Sequence, residues 1–260
     1  MRIISFCADS ITDAAEKGFF DWVIKQDADI ICLQNLGIAE YKLRDDVFFP
    51  REYNPYFFDA ADGKSNGVAI YCRQLPKAIM TGLGFMDFDM DGLYIQADFD
   101  NISIGSLLAP SVPDGDAEAQ VRKNQFFEQY YNHLHKVRNK RRDFIICGNW
   151  GIAHKSIDIQ DIKGNHGVSG SLMEEQQWME RLFHEEHYAD AFRLVNADAD
   201  EFSYWPDGEP GKNGWRVDYQ VVSERLQSRV EHGAIYKVQQ FGKHAPLIMD
   251  YDYELPESAF

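Results

Sequence analysis

Four short segments follow strand-like runs and carry side chains that could bind a cation or move a proton: FCAD at 6–9, LQN at 33–35, GNWG at 148–151 and KHAP at 243–246. Mg²⁺ prefers carboxylate oxygens, and a general base must accept a proton. Asn35 and Asn149 offer neutral amides instead. Lys243 brings an ammonium, and a like-charge pair ~4 Å apart costs roughly 4 kcal/mol at an effective dielectric near 20. The residue types therefore argue against a Mg²⁺ site and against proton abstraction by Asn149.

In order, spacing and strand-end setting, the four segments resemble the exonuclease III / AP endonuclease family of the endonuclease–exonuclease–phosphatase superfamily. That family's pattern is roughly FN-x-N, LQE, GD-x-N and SDHAP. The resemblance implies that the Glu of LQE and the Asp of SDHAP hold a divalent cation and that the Asp of GD-x-N activates water. It also implies that the Asn of GD-x-N and the His of SDHAP stabilise the charge that develops on phosphorus.

Eight positions of this sequence correspond to that family's site, and most are altered: Cys7, Asn35, Leu108, Asn149, Gly151, Asp218, Lys243 and His244. Asn35 replaces the Glu, Asn149 the catalytic Asp, Gly151 the Asn and Lys243 the last Asp. Cys7 replaces an Asn, and Leu108 replaces a Tyr. The resemblance thus predicts a degenerate site with no catalytic residue, no metal and no cofactor.

Asp218 and His244 are the two retained positions, and the resemblance pairs them. We interpret the pair as structural, joining two strand ends, although an imidazole held by a carboxylate could act as an acid or base. Lys243 is expected to pair with Asp9 or Asp218. The alternative, an active metal-dependent nuclease or phosphodiesterase, would need a relocated metal site that uses Asp9, Asp158 or Asp161.

The bulk composition limits the classes of protein. A chain of 260 residues with 45% hydrophobic content can bury a sizeable core. Its apolar runs are too short for a membrane helix, and the strand-like N-terminus lacks a signal-peptide pattern, so we expect a cytoplasmic protein. The four cysteines lie in apolar runs without C-x-x-C spacing, which predicts buried, reduced thiols. The net charge of −16 excludes a binder that attracts nucleic acid over its whole surface.

Periodicity predicts helices and strands in alternation. Helices are expected at about 12–26, 116–137 and 174–187, and strands at 3–8, 29–34, 68–73, 93–99, 102–109, 142–149, 215–223, 234–239 and 247–251. The pattern alone gives an α/β or α+β class, with one domain over 1–260 because no linker or repeat is present. The family resemblance adds the four-layer, DNase I-like sandwich of two packed mixed β-sheets flanked by helices.

One basic run stands out in this acidic chain. Residues 136–142 place five cations at the end of the long predicted helix: Lys136, Arg138, Lys140, Arg141 and Arg142. Cations suit the negative end of a helix dipole, which would explain one or two of them. We favour a surface that contacts RNA or a partner, and Lys155 could border the same surface.

Segments beyond the nuclease motifs resemble one branch of the superfamily, the bacterial catabolite repression control (Crc) proteins: 94–100, 202–207 and 214–220. That resemblance implies a non-enzymatic co-repressor of mRNA translation that acts with the RNA chaperone Hfq on A-rich sites. It also implies weak or no RNA binding by the free protein. An acidic body with one basic surface suits a protein that joins an assembled complex, where effective concentration compensates for weak contacts.

Overall fold

A computed structural model describes residues 1–255 and contains two six-stranded sheets. The strands are β1 (Arg2–Cys7), β2 (Ile30–Gln34), β3 (Asn54–Phe58), β4 (Val68–Cys72), β5 (Ala78–Thr81), β6 (Tyr94–Asp98), β7 (Ile102–Leu108), β8 (Asp143–Asn149), β9 (Ala189–Asp190), β10 (Asp218–Val222), β11 (Val230–Ile235) and β12 (Leu247–Tyr251). The α-helices are α1 (Ile11–Glu16), α2 (Phe19–Val23), α3 (Ala117–Arg138), α4 (Met173–His184) and α5 (Ala191–Val195).

Both sheets are mixed. The first has the order β11-β12-β1-β2-β4-β3, and the second has the order β5-β6-β7-β8-β10-β9. Only β1 with β2 and β7 with β8 pair in parallel among the described strands. The predicted fold class, two packed mixed sheets flanked by helices, is therefore confirmed.

Alternation along the strands builds the layers, because successive side chains point to opposite faces of a sheet. In β1, Ile3 packs into the large core that includes residues of both sheets, whereas Ile4 packs beneath α1 and α2. Ile30 and Ile31 repeat this division in β2. Since both faces of the sheet are covered, these strands are buried along nearly their whole length.

The long helix lies where the spacing predicts. It begins after Asp116, whose side chain accepts a hydrogen bond from the Ala119 backbone, and its aromatic stripe is buried in the core. The predicted helix at 12–26 is instead broken. Gly18 adopts a left-handed conformation (φ +83°) that ends α1 and begins α2, and Ser10 caps α1. The sequence did not predict β3, β5 and β9. The strand predicted at 234–239 lies instead at Val230–Ile235, which is β11.

Strand register brings the four sequence segments to one end of the sandwich. Cys7 pairs with Gln34 across the parallel β1/β2 ladder. In the other sheet, Asn149 lies opposite both Leu108 and Asp218. β12 runs antiparallel to β1, so the segment that precedes Leu247 lies at the same end.

A buried ion network supports the neighbouring loops. The Arg216 guanidinium is almost fully buried, with Nε 2.8 Å from Asp158 Oδ1 and Nη2 2.7 Å from Asp190 Oδ2. Arg193 Nη2 lies 2.8 Å from the same Asp158 oxygen. Asp158 is thus neutralised by two guanidinium groups, which corrects the idea that it serves a relocated metal site.

We expect Arg216→Met to lower the free energy of unfolding by roughly 3–5 kcal/mol, because it leaves two buried carboxylates without their shared cation. Arg225→Met is the matched control, since its guanidinium is 58% exposed and its ion pair with Asp143 should contribute about 0–1 kcal/mol. Urea denaturation at neutral pH measures both. An equal loss of unfolding free energy in the two variants would show that the buried Arg216 network stabilises the fold no more than an exposed ion pair does.

Candidate active site at the strand ends

A cleft of about 1230 Å³ opens where β1, β2, β7 and β8 end. Six of the eight predicted site positions line it: Asn35, Leu108, Asn149, Gly151, Lys243 and His244. Cys7 and Asp218 lie beneath its floor and are buried. The structure therefore brings all eight positions together, although they come from six separate stretches of the chain.

Asp9 and Asn35 face each other at the ends of the parallel strands β1 and β2. Both adopt left-handed backbone conformations, with φ of +59° and +55°, which Asp and Asn tolerate better than most residues. The Asn35 side-chain amide donates a hydrogen bond of 3.1 Å to Asp9 Oδ1. The Asp9 carboxylate, which the sequence suggests as a partner of Lys243 or as a ligand of a relocated metal, is thus hydrogen-bonded to Asn35.

Asn149 holds the turn after β8. Its Oδ1 accepts a hydrogen bond of 2.8 Å from the Gly151 backbone, and its Nδ2 donates to Cys7 Sγ at 3.5 Å. Gly151 has φ of +61°, a conformation in which a larger residue would be strained. Asn149 thus shapes the floor of the cleft and offers no group that abstracts a proton.

Asp218 and His244 form a close buried pair. His244 Nδ1 lies 2.8 Å from Asp218 Oδ2, which also accepts a hydrogen bond of 2.7 Å from Ser203 Oγ. The Tyr204 ring stacks on the imidazole with ring centroids 4.4 Å apart. Burial disfavours the charged imidazole, but the Asp218 carboxylate outweighs it and raises the pKa of His244 well above its ordinary value.

Cys7 completes this cluster beneath the cleft. Its thiol contacts both His244 and Asn149, and Asp9 Oδ1 lies 4.0 Å from Sγ. Burial is the main influence on the thiol and raises the pKa of Cys7, which outweighs the opposite effect of His244. All four cysteines are buried and free of disulfides, as predicted.

Lys243 extends from the rim of the cleft and is exposed. Within residues 1–255 its ammonium has no carboxylate within ion-pair distance. The expected pairing with Asp9 or Asp218 is therefore wrong, because Asn35 contacts Asp9 and His244 contacts Asp218. The Lys243 charge is left available to a ligand.

The fold family implies a Mg²⁺-type cation, and the residues here do not fit one. A hard dication needs several oxygen ligands, with charge supplied by carboxylates. Asn35 supplies a neutral amide, Lys243 an opposing charge, and the Asp218 carboxylate is buried under His244. Asp9 is the remaining carboxylate at this end of β1 and β2.

Sequence reasoning missed a buried ion pair behind the cleft wall. Lys123 Nζ donates to Gly151 O and to Glu175 Oε1, both at 2.7 Å. Burial lowers the pKa of Lys123, although Glu175 opposes the shift. Glu175 Oε2 also accepts a hydrogen bond from Gly170 N, so the pair ties the turn after β8 to the next loop. Its signal was a lysine on the apolar stripe of α3, three residues before Phe126.

Some cations of the basic run, residues 136–142, bind groups of the protein, and others form no ion pair in the described part of the chain. Arg138 lies 2.9 Å from Glu186 Oε2, and Arg142 donates to the backbone carbonyls of Phe99 and Ile102. Lys136, Lys140 and Arg141 are exposed and form no ion pair in the described part of the chain. These three side chains carry the available positive charge.

This run lies at the end of the sandwich opposite the cleft. It precedes Asp143, the first residue of β8, whereas the cleft begins at Asn149, the last. Seven extended residues span roughly 20 Å. Lys155 follows the cleft end of β8 and lies 3.8 Å from Glu180, so the structure does not join it to the run.

Two stacked mixed sheets with a polar cleft at their strand ends define the DNase I-like class of folds. A model of the Endonuclease/Exonuclease/phosphatase family matches residues 12–234, and the chain belongs to this family. It is 28% identical over 252 residues to an exodeoxyribonuclease of Bacillus subtilis, which covers 95% of this chain and 98% of that protein. It is also 28% identical over 257 residues to the DNA repair nuclease APEX1 of Danio rerio, covering 96% and 81%.

Solved structures agree on the fold. An AP endonuclease from Archaeoglobus fulgidus matches with a TM-score of 0.88 at 21% identity, covering 97% of this chain and 100% of that one. A 3′-5′ exonuclease from Neisseria meningitidis matches with a TM-score of 0.85 at 18% identity, covering 97% and 100%. No described helix combines the length and apolarity that a bilayer crossing requires.

These comparisons correct the functional prediction. The resemblance to the Crc branch predicts a non-enzymatic co-repressor of translation with no catalytic activity, and this prediction is wrong. The relatives that match nearly the whole chain are instead named as an exodeoxyribonuclease, a DNA repair nuclease and an AP endonuclease. They favour the alternative, a nuclease or phosphodiesterase, over the regulator.

The raised pKa of His244 predicts how stability depends on pH. A raised folded-state value stabilises the fold below the unfolded pKa, near 6.5, and this contribution is lost as pH rises through the folded value. Asp218→Asn should make the imidazole titrate at lower pH and should destabilise the protein more at pH 6 than at high pH.

Nuclear magnetic resonance of the His244 ring and urea denaturation over the same pH range measure the two effects. Asp250→Asn is the control for the titration, because Asp250 pairs with Arg2 at 2.7 Å and lies near the exposed His232, away from the cleft. An unchanged His244 titration in Asp218→Asn would contradict the assigned role of that carboxylate.

Proposed function

We propose that this protein hydrolyses phosphate esters of nucleic acid, as an exonuclease III-type nuclease or phosphodiesterase. The observation that carries the proposal is the Asp218–His244 pair, which lies under the cleft in a chain whose full-length relatives are named nucleases. The site keeps an imidazole at the cleft, and the Asp218 carboxylate favours its charged form by raising the pKa of His244. The carboxylates that would hold Mg²⁺ are replaced in this chain, so the proposed reaction does not depend on that ion.

His244 is the main candidate for a catalytic residue. Its Nδ1 is held by Asp218, which fixes the ring orientation and the tautomer, and Tyr204 packs on its face. A protonated imidazole can donate a hydrogen bond to a phosphate oxygen and stabilise the charge that develops there. It can also give its proton to a leaving oxygen.

Lys243 adds positive charge at the rim of the cleft. Its ammonium has no carboxylate partner among residues 1–255, and it is the neighbour of His244 in sequence. Because the chain carries a net charge of −16, a phosphate must be met by such local cations. Asp9 and the other acidic side chains of the cleft repel phosphate. We therefore place the substrate contact on the side of the cleft that Lys243 and His244 form.

Within the family, we further propose that the chain stands near the catabolite repression control branch. Segments 94–100, 202–207 and 214–220 support this placement. Trp215, inside the last of these segments, packs beside Val217 in a small cluster next to the cleft. The placement concerns ancestry and does not decide activity.

We expect the purified protein to cleave at least one of three labelled oligonucleotides: an abasic-site duplex, a 3′-phosphate duplex or a single strand. Each is assayed with Mg²⁺, Mn²⁺, Zn²⁺ or a chelator. His244→Gln should lower the rate about 10²–10³-fold, because it removes a donor to the developing charge. His232→Gln, an exposed histidine away from the cleft, should retain the rate.

Two outcomes would reject the proposal. One is an equal rate in the His244→Gln variant, which would indicate a contaminating nuclease. The other is the absence of turnover on all three substrates under every metal condition, with the wild type shown to be folded by circular dichroism.

The basic run is proposed as a second nucleic-acid contact. Among residues 1–255, Lys136, Lys140 and Arg141 form no ion pair, while Arg138 and Arg142 contribute charge from their structural positions. Replacing Lys136, Lys140 and Arg141 by Ala should flatten the log–log salt dependence of binding by roughly 2, at ~0.7 for each lost contact with a single strand. Fluorescence anisotropy with labelled DNA and with A-rich RNA, with and without Hfq, measures it.

The control for this titration replaces Lys212 by Ala, since that lysine already pairs with Glu209. An unchanged salt slope in the triple variant would show that the basic run does not contact phosphates. A loss of thermal stability without a change in binding would assign it to the helix terminus instead.

A further inference from the structure

We propose that Cys7, Asp218 and His244 form a binding site for one divalent transition-metal ion of the zinc class. The three residues come from the end of β1, the start of β10 and the segment before β12. The site shares Asp218 and His244 with the proposed nuclease function and adds Cys7, so a bound ion would take His244 from the donor role proposed above.

The geometry of the cluster carries the proposal. One possible ligand atom of each residue, the Cys7 sulfur, an Asp218 carboxylate oxygen and a His244 ring nitrogen, lies within 4.8 Å of the other two. All three side chains are nearly fully buried, with residue exposures of 1%, 2% and 5%. The ends of β1 and β10 hold Cys7 and Asp218, and an ion would replace the hydrogen bond between Asp218 and His244.

One buried oxygen in the cluster lacks a partner. Asp218 Oδ2 accepts hydrogen bonds from Ser203 and contacts His244, but Oδ1 has no hydrogen-bond partner within the described chain. A buried carboxylate oxygen that is left unsatisfied is costly, and such atoms are rare. A cation beside the carboxylate would satisfy this oxygen.

The donor set selects the kind of metal. A thiolate, an imidazole and a carboxylate suit Zn²⁺ or Co²⁺, whereas Mg²⁺ requires oxygen ligands. Zinc sites with three protein ligands keep a fourth position open, and here His244 lines the cleft. The thiolate and the carboxylate together neutralise a dication, so the occupied site would bury no net charge.

Groups around the cluster would orient the ligands. Ser203 Oγ holds Asp218, and the Asn149 amide donates to Cys7 Sγ, as outer hydrogen bonds do in many metal sites. Asp9 Oδ1 lies 4.0 Å from the sulfur and would add favourable charge. Lys243, next to His244, would oppose the ion, so Lys243→Ala should bind the metal more tightly than the wild type.

The test is a Co²⁺ titration of the full-length protein under reducing conditions, followed by absorption spectroscopy. We expect saturation at about one equivalent, with visible bands of a four-coordinate ion and a near-ultraviolet band from thiolate to cobalt. Competition with Zn²⁺ should abolish these bands, and mass spectrometry should show one retained zinc after dialysis.

Variants identify the ligands. Cys7→Ser should remove the thiolate band and weaken Zn²⁺ binding at least 100-fold, and Asp218→Asn should weaken it at least 10-fold. Cys72→Ser is the matched control, because Cys72 is buried and lies outside the cluster. If Cys7→Ser does not fold, the spectrum of the folded wild type still decides whether a thiolate ligates the ion.

Three results would overturn the proposal: no Co²⁺ binding by the folded wild type, binding without a thiolate band, or a thiolate band that persists in folded Cys7→Ser protein. In each case the cluster is an ion-free hydrogen-bonded group. Because metal binding is measured without substrate, its failure is distinct from a failure to cleave nucleic acid.

Discussion

Burial of both faces of the first sheet is the constraint on which the rest of the structure depends. Residues such as Ile3 and Ile4 point in opposite directions, one toward the facing sheet and one toward α1 and α2. A shift of register by one residue would move the side chains of one face to the other face of the sheet. Both faces would remain buried, but every strand end would be misplaced. Register therefore fixes the floor of the cleft, where Cys7 lies opposite Gln34 and Asn149 opposite Asp218.

Electrostatics at this floor differ from those of a Mg²⁺ site. Within residues 1–255, the charges at the floor are a carboxylate–imidazole pair, one carboxylate bound by an amide, and an ammonium at the rim without an ion-pair partner. This arrangement favours contact with an anion on the His244 and Lys243 side. The same arrangement places the buried Cys7 thiol beside the His244 imidazole. Sulfur and nitrogen donors suit a softer metal than Mg²⁺.

Positive charge is separated within an acidic chain. Three cations of the basic run form no ion pair in the described part of the chain: Lys136, Lys140 and Arg141. They lie at the opposite end of β8 from the cleft, roughly 20 Å away. This separation exceeds the Debye length at physiological ionic strength, about 8 Å, so the two regions act on ligands independently. A nucleic acid that contacts both would have to extend along the side of the second sheet.

The sequence by itself determined the fold class, the main helices and strands, and the four segments of the site. These features depend on local periodicity and on ordered motifs. The break at Gly18 and the short strands β3, β5 and β9 escaped prediction, because tertiary packing decides them. Only the tertiary structure showed that Asn35 contacts Asp9, that Lys123 and Glu175 support the wall, and that Cys7 joins Asp218 and His244. Sequence spacing does not encode such contacts, since residues more than 200 positions apart meet only when strand register brings their ends together.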